Sequence, residues 1–351
     1  MSTPARGFRR RSLFLTAGAA LVAAGCADKS SSGGAGSMTV NVGQVSNSVA
    51  FLPFFIGENK GYFTSEGLTL GERPRLGTGA KVAAALLSGS IDIAGSVMTD
   101  ALNLYKTNNT TRVIGSLVNT YYVDIIAGAT MPRTADSAPV SDRIASLKGK
   151  KIGITGPGSG TEALVKYLFH QAGLDAARDA TLVNLGSDAS AALGALTQRR
   201  VDVLSFPQPV GQLATAAGAG RLYISPAAGD VPELKNATHG VIITTQSVID
   251  QKGKALAAFL RAVAKSQALI HNDAAATGTL LATYQNTMKP ETVQALTPIL
   301  QQEIPESPQP PQSGYDASVA FHTQTGLVTN APAYAQIVPT GWITSALSNT
   351  V

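Results

Sequence analysis

Residues 152–162 read IGITGPGSGTE. A short β-branched run enters a loop with three glycines and a proline, and a helical pattern follows. Strand, glycine-rich turn and helix start together present backbone amides to an anionic group. A nucleotide loop does not fit. A P-loop needs a lysine after its glycines, whereas Gly160 is followed by Thr161 and Glu162, and a glutamate at the mouth repels polyphosphate. The dinucleotide spacing G-x-G-x-x-G is missing too, because Gly156, Gly158 and Gly160 read G-x-G-x-G. What fits is a capping box, with the Ser159 hydroxyl on the Glu162 amide and Glu162 reaching back to the Ser159 amide. Capping alone accounts for the helix start. Yet Gly158 and Gly160 let the backbone approach a ligand, and free first-turn amides suit a small anion or a carbonyl oxygen, so ligand contact is expected at Ser159, Gly160 and Thr161.

Three other loops carry polar, uncharged groups at the ends of expected strands. GTGAK (77–81) offers Thr78 as an N-cap, followed by Gly79. SVMTDAL (96–102) offers Thr99 as a cap, and QVSNSVAF (44–51) places Asn47 and Ser48 just past the first strand. Each alone reads equally as a cap; together they suggest one cleft lined by hydroxyls, amides and helix N-termini. Chemistry on a substrate finds little support. His170, His239, His271 and His322 make no HxxxH, HExxH or HxH spacing, and there is no G-x-S-x-G elbow. His170 falls on the polar side of its helix with Lys166, and His271 reads as a helix C-terminal cap. His239, before the strand GVIITT and near an expected domain crossing, is the one histidine worth testing. No metal, no cofactor and no catalytic group are expected.

The elements that hold these loops alternate. Strand-like MTVNVGQV, LTLGERPR, IDIAGSV, TRVIGSLVN and YVDIIAGA are interspersed with helical AFLPFFIGENKGYF, GAKVAAALLSG and TDALNLYKTN. A second series starts at ASLKGKKIGIT and runs through the helix TEALVKYLFHQAG, the strands ATLVNLG, VDVLSF, LYIS and GVIITT, and the helices between them. The pattern predicts an α/β protein with parallel sheets. The segment from Gln246 to Val351 reads as all helical, broken at IPESPQPPQSG. Ala85–Ile93 (ALLSGSIDI) and Ala195–Val203 (ALTQRRVDV) echo one another, each setting a small-residue helix before a strand that carries Asp92 or Asp202. The echo suggests two halves of like topology.

The N-terminus reads as an export signal over residues 1–25. ARGFRRRS is basic, and Leu13–Gly25 is apolar but shorter than the ~20 residues of a spanning helix. Of 27 Lys and Arg, Arg6, Arg9, Arg10 and Arg11 precede Cys26, leaving 23 against 22 acids, a mature charge of +1. Nucleic-acid binding therefore has no electrostatic support. With Cys26 the only cysteine, a disulfide, a cysteine-based zinc site and a cysteine nucleophile are excluded from the mature domain. LVAAGC resembles the lipobox of bacterial lipoproteins, with Ala23 where leucine is commoner. This implies that Cys26 is lipidated and that residues 26–37 are a flexible tether; a signal peptide cleaved nearby is the alternative. RRSLF also partly resembles a twin-arginine signal.

VGQVSNSVAFLPFFIGENKGYFTSEGLTL resembles the opening of substrate-binding proteins of the nitrate/sulfonate/taurine and thiamine-precursor type, which serve ABC importers. AALLSGSIDIAG is similar to that family's A-L-x-x-G-x-[IV]-D segment, and LKGKKIGITGPGSGTEALVKYLFHQAGLD to the start of its second lobe. The similarity runs from about Val40 to Asp250. It implies a periplasmic-binding-protein-like fold of type II, with two α/β lobes, a ligand cleft and two hinge crossovers. Lobe I would be 38–124 plus 244–351 and lobe II 125–243, with hinges near Tyr121–Asp124 and Val241–Thr245. Carried to matching positions, the ligand groups are Asn47, Ser48, Thr78, Gly79, Thr99, Ser159, Gly160 and Thr161, with Gln208 as a further contact. Arg199 stands where the family pattern has glycine, which leaves that turn open. The resemblance implies an exported, lipid-anchored, monomeric solute-binding protein. It would pass a small anionic or polar organic ligand, such as a sulfonate, nitrate or taurine, to an inner-membrane ABC permease. A binder of a neutral heterocycle such as a thiamine-precursor pyrimidine, a ligand sensor and an enzyme on the same fold are the alternatives.

Overall fold

The computed structural model describes residues 38–133 and 136–349. The expected signal peptide, Cys26 and the tether lie outside the described residues. Eleven strands are described: β1 (Met38–Val40), β2 (Val42–Gln44), β3 (Leu68–Leu70), β4 (Ile93–Val97), β5 (Thr111–Val118), β6 (Val123–Gly128), β7 (Lys151–Ile154), β8 (Thr181–Asn184), β9 (Val203–Pro207), β10 (Gly220–Ile224) and β11 (Gly240–Thr245). They form a pair β1-β3, a sheet ordered β2-β4-β11-β5 and a sheet ordered β10-β6-β9-β7-β8. The expected first strand MTVNVGQV is two strands: β1 pairs with β3, and β2 with β4. Between them the Asn41 amide turns to the Asp92 carboxylate at 2.8 Å.

The sheets are mixed rather than wholly parallel. β2 and β4 run parallel, as do β7 with β8 and β7 with β9. β11 runs antiparallel to both β4 and β5, and β6 antiparallel to both β9 and β10. These are the two strands the chain enters on arriving from the other sheet. Coming in from the far side, each runs against its neighbours. The changeovers lie at Asn119–Tyr122 and between Ile224 and Gly240. The boundary expected at Ile243 therefore falls inside β11, which pairs with the four-stranded sheet.

Helices cover both faces of the sheets, and the central strands read as buried apolar runs for that reason. On the four-stranded sheet, Phe54 from Leu52–Asn59 meets Phe259 from Gln246–Asn272 edge-on at 5.2 Å, and Phe63 stacks on Phe259 at 5.0 Å. On the five-stranded sheet, Leu164, Leu168 and Phe169 of Gly160–Gln171 join Ile152, Ile154 and Ile125 in one buried cluster. The C-terminal segment is helical as expected, but it serves both sheets. Phe321 of Gln312–Gln324 belongs to that second cluster, while Tyr315 of the same helix packs with Met98 and Val113. Among the described residues no helix is long and apolar enough to cross a membrane.

The sequence echo has a structural counterpart. The Lys151 amide donates to Asp202 at 2.8 Å, as the Asn41 amide does to Asp92. In each half the aspartate before a strand closes the amide leading into its parallel neighbour, β2 beside β4 and β7 beside β9. The preceding turns match as well: Gly89 has φ +72° and Arg199 φ +57°. The turn that a glycine would favour is thus kept by an arginine in the left-handed region.

Candidate functional site

A cavity of about 420 Å³ lies between the two large sheets. The four-stranded side contributes the loop Val45–Ser46, the turn Gly77–Ala80 and the helix Met98–Thr107. The five-stranded side contributes Thr155–Thr161 after β7, Asn184 at the end of β8 with Ser187 beyond it, and Pro207 at the end of β9. Tyr122 and His239, one from each changeover, close it. The walls therefore gather at the carboxyl ends of β4, β7, β8 and β9, where open α/β sheets bind ligands.

Local sequence shapes each wall. The Thr78 hydroxyl accepts from the Lys81 amide at 3.3 Å and starts the helix Gly79–Leu87. In the glycine loop, Ser159 caps its helix by accepting from the Glu162 amide at 3.3 Å. The reciprocal half of the expected capping box is displaced. Glu162 accepts from the Gly158 amide at 2.6 Å, because the Ser159 amide is already turned to the Gly156 carbonyl at 3.3 Å. Gly158, at φ +75°, makes that turn possible. Thr161 ties the loop down: its Oγ1 accepts from the Thr155 amide at 2.9 Å and lies 2.7 Å from the Ser159 hydroxyl.

Gly160 sits where no side chain fits. A Cβ there would meet His239 Cε1 at 2.8 Å and the Tyr121 hydroxyl at 3.0 Å. Tyr121 in turn donates to the Gly160 carbonyl at 2.6 Å. The Tyr121 ring lies 4.1 Å from the His239 ring and 4.8 Å from Phe321, so both changeovers and the C-terminal helix meet at one aromatic point. Asn103, on the opposite wall, donates to the Gly158 carbonyl at 3.1 Å.

Five of the expected ligand residues, Thr78, Gly79, Ser159, Gly160 and Thr161, line the cavity. Four others are placed elsewhere and hydrogen-bond to protein, although the Gln208 side-chain oxygen has no partner. Asn47 is exposed, and its carbonyl accepts from Gln285 at 2.6 Å. The Ser48 hydroxyl donates to the Gln208 carbonyl at 2.7 Å, and the Gln208 amide donates to Glu303 at 3.1 Å. Thr99 does not cap its helix: Val97 is the N-cap, and the Met98 amide donates to the His239 carbonyl. One residue along a helix is about 100° of rotation. Thr99 accordingly points to His322 Nε2 at 2.6 Å, and its neighbour Asp100 lines the cavity. His239 lines it as well. Asp100, Asn103, Asn184 and Ser187 were missed. The signal for Asp100, an acid in the first turn of a helix that follows a strand end, was present but was assigned to capping by Thr99.

The electrostatics are unusual for an anion site. Among the described residues no Lys or Arg lines the cavity. Asp100 is 9% exposed and accepts from the Ser96 hydroxyl at 2.6 Å. Burial pushes its carboxyl up to about 6, against the opposing pull of the Ser96 and Val97 hydrogen bonds. Burial, and then neighbouring His322, holds His239 well below its ordinary value, so the imidazole is neutral. The helix start at Ser159 is faced by Glu162, itself paired with Lys166 at 2.9 Å, which offsets the dipole's pull on an anion. Among the described residues no group of three His, Cys, Asp or Glu side chains is placed to hold a metal ion.

Similar architectures occur in solved structures. A Bordetella bronchiseptica protein superposes with a TM-score of 0.74 at 21% identity, covering 89% of this chain and 97% of its own. The periplasmic nitrate-binding protein NrtA of Synechocystis gives 0.69 at 16% identity, covering 89% and 88%. The alkanesulfonate-binding protein SsuA of Xanthomonas axonopodis, bound to MOPS, gives 0.68 at 19% identity, covering 87% and 99%. At these identities the likeness establishes the fold, that of the periplasmic binding proteins. A search of curated protein sequences finds no significant match. The family model described as NMT1/THI5 like matches residues 48–276, which take in β3 to β11 and every cavity wall beyond Ser46. With well over half of its length so matched, the chain belongs to the NMT1/THI5-like family.

Proposed function

We propose that this protein is the extracytoplasmic solute-binding component of an ABC importer, and that it captures a small polar organic ligand by closing two lobes around it. The observation that carries this reading is the cavity between the sheets, walled from both sides and bridged at its rim by Asn103 and Gly158. Its volume of about 420 Å³ suits a small molecule. In this reading one lobe is built on the four-stranded sheet and most of the C-terminal helices, and the other on the five-stranded sheet. A ligand touching Thr78 and Gly79 on one side and Ser159–Thr161 on the other favours the closed form by its extra contacts. The protein performs no reaction. It works as a monomer, exported and tethered by a lipid on Cys26, and hands its ligand to the permease. Palmitate labelling that survives Cys26→Ala would remove the anchor from this scheme.

Of the ligand classes, a neutral or amine-bearing organic molecule, such as an amino-heterocycle, is favoured over nitrate or a sulfonate without an amine. Among the described residues the cavity walls carry no cation and one carboxyl group, Asp100. Thermal unfolding of the chain from Ser37 onward, against sulfonates, nitrate, taurine, pyrimidines and aromatic carboxylates, tests the function. A tight ligand raises the midpoint with the logarithm of its concentration over Kd. If no small molecule shifts it, the solute-binding reading is wrong.

A further inference from the structure

We propose that Asp100 is the specificity-determining residue of the cavity, and that the ligand presents to it a protonated amine, amidine or guanidine. This rests on the solute-binding reading and narrows it to a ligand class.

Asp100 is a nearly buried carboxyl in a cavity wall without a cationic partner. Its acceptor inventory is partly used: it takes the Ser96 hydroxyl at 2.6 Å and the Val97 backbone amide. A carboxylate offers about four lone-pair sites, so capacity remains for a ligand. Asp124 and Glu303 are also buried without a cationic partner, but neither lines the cavity, and two further buried acids have a cation. Asp92 is paired with Lys252 at 2.8 Å, and Asp179 with Arg178 at 2.8 Å. The titratable groups that face Asp100 are the phenols of Tyr121 and Tyr122 and the imidazole of His239, none of them cationic. A carboxylate removed from water without a counter-charge is unfavourable; Asp124 and Glu303, closed off from the cavity, are compensated by a proton, whereas Asp100 opens on the cavity, where a charge brought by the ligand can compensate it.

The surroundings agree with a cation bearing a flat or apolar body. Tyr122, Pro157 and Pro207 supply apolar wall, and Tyr122 adds an aromatic ring. Gly79 allows the carboxyl to sit where it does, since a Cβ at that position would come within 2.0 Å of Asp100 Oδ1. The Gly79 backbone and Asp100 are thus fitted to each other. The opposite wall offers the Thr155 and Ser159 hydroxyls and the Asn184 amide for the uncharged remainder of the ligand.

The test measures binding to the purified chain from Ser37 onward, by calorimetry and thermal shift at pH 7.5. The probes are ammonium, amidinium and guanidinium compounds, each set against the sulfonate and carboxylate on the same skeleton, with benzamidine, benzenesulfonate and benzoate as one such trio. We expect the cations to bind, and Asp100→Asn to weaken them by about tenfold or more while an uncharged member such as benzamide changes little. Asparagine keeps an acceptor for Ser96, so the variant is expected to fold. If it does not, the wild-type ranking of cation over anion decides alone. Anions that bind as well as or better than their cationic partners would overturn the role of Asp100 while leaving solute binding intact. Cation affinity unchanged in a folded Asp100→Asn protein would overturn it too. Binding by none of the probes, charged or neutral, would overturn both readings.

Discussion

The Asn103 side-chain amide donates to the Gly158 carbonyl at 3.1 Å, so the helix after β4 is joined directly to the glycine loop after β7. The bond spans the cavity rim and exists only while the two sheets stand at this separation. Asn103→Ala should therefore weaken ligand binding through the closed form rather than through the fold. One such bond contributes about 1 kcal/mol net, or about fivefold in affinity. Calorimetry with the best ligand of the panel, beside an unfolding midpoint that stays near wild type, checks this.

Gly160→Ala should be costly. The added methyl would press on His239 and Tyr121, both fully packed, and overpacking of this kind costs about 1–3 kcal/mol. Tyr121→Phe removes only the bond to the Gly160 carbonyl and should cost less. Urea unfolding of the two variants gives the order, and an alanine variant as stable as wild type would show that the contact relaxes freely.

The arginine at the echoed turn predicts a gain. Arg199 holds φ +57° where its counterpart Gly89 holds +72°. Arg199→Gly relieves left-handed strain and should stabilise by about 0.5–1 kcal/mol, while Gly89→Ala, with open space around it, should cost a similar amount through conformation alone. Thermal unfolding of both should move the midpoint in opposite directions.

Stability should fall as pH rises toward 8 and then level off. Burial pushes Glu303 up to about 8 and Asp124 up to about 7. Both groups hold protons in the folded state that the unfolded chain has already lost. Their contribution is therefore complete below pH 4 and disappears as pH rises through 7 and 8. His239 and His322 are shifted down, so their effect is confined to the acid side, below the ordinary histidine range. Between about pH 6.5 and 8 the slope belongs to the two carboxyls, with at most about 1.4 kcal/mol per pH unit for each, and it levels off above pH 8. Glu303→Gln, which keeps an acceptor for the Gln208 amide, should flatten the profile measured by urea unfolding.

Much of this was legible in the residues. Ser159, Thr78 and the glycines of the loop declare helix starts, because a hydroxyl three residues before an amide is a local device that needs no tertiary context. The echo of Asp92 and Asp202 was readable for the same reason. What escaped depends on partners far away in the chain. Thr99 looks like a cap until the Met98 amide is met by the carbonyl of His239, and Ser48 and Gln208 look free until the Ser48 hydroxyl finds the Gln208 backbone carbonyl and the Gln208 side-chain amide finds Glu303. The antiparallel course of β6 and β11 follows from where the chain crosses between sheets, which hydrophobic patterning does not encode.

The meeting of Tyr121, His239 and Phe321 has a mechanical consequence. The rings of His239, from the other changeover, and of Phe321, from the C-terminal helix, lie within 5 Å of the Tyr121 ring, and His239 is also a cavity wall. In the proposed solute-binding role such a cluster would serve as a fulcrum. A ligand seated beside it would need to shift the nearby wall only slightly, and the lever arms running out to Asn103 and Gly158 would enlarge that shift into a wider travel of the lips. A tight grip at the depth of the cleft would thereby become a large change in outline, the signal the proposed permease would feel.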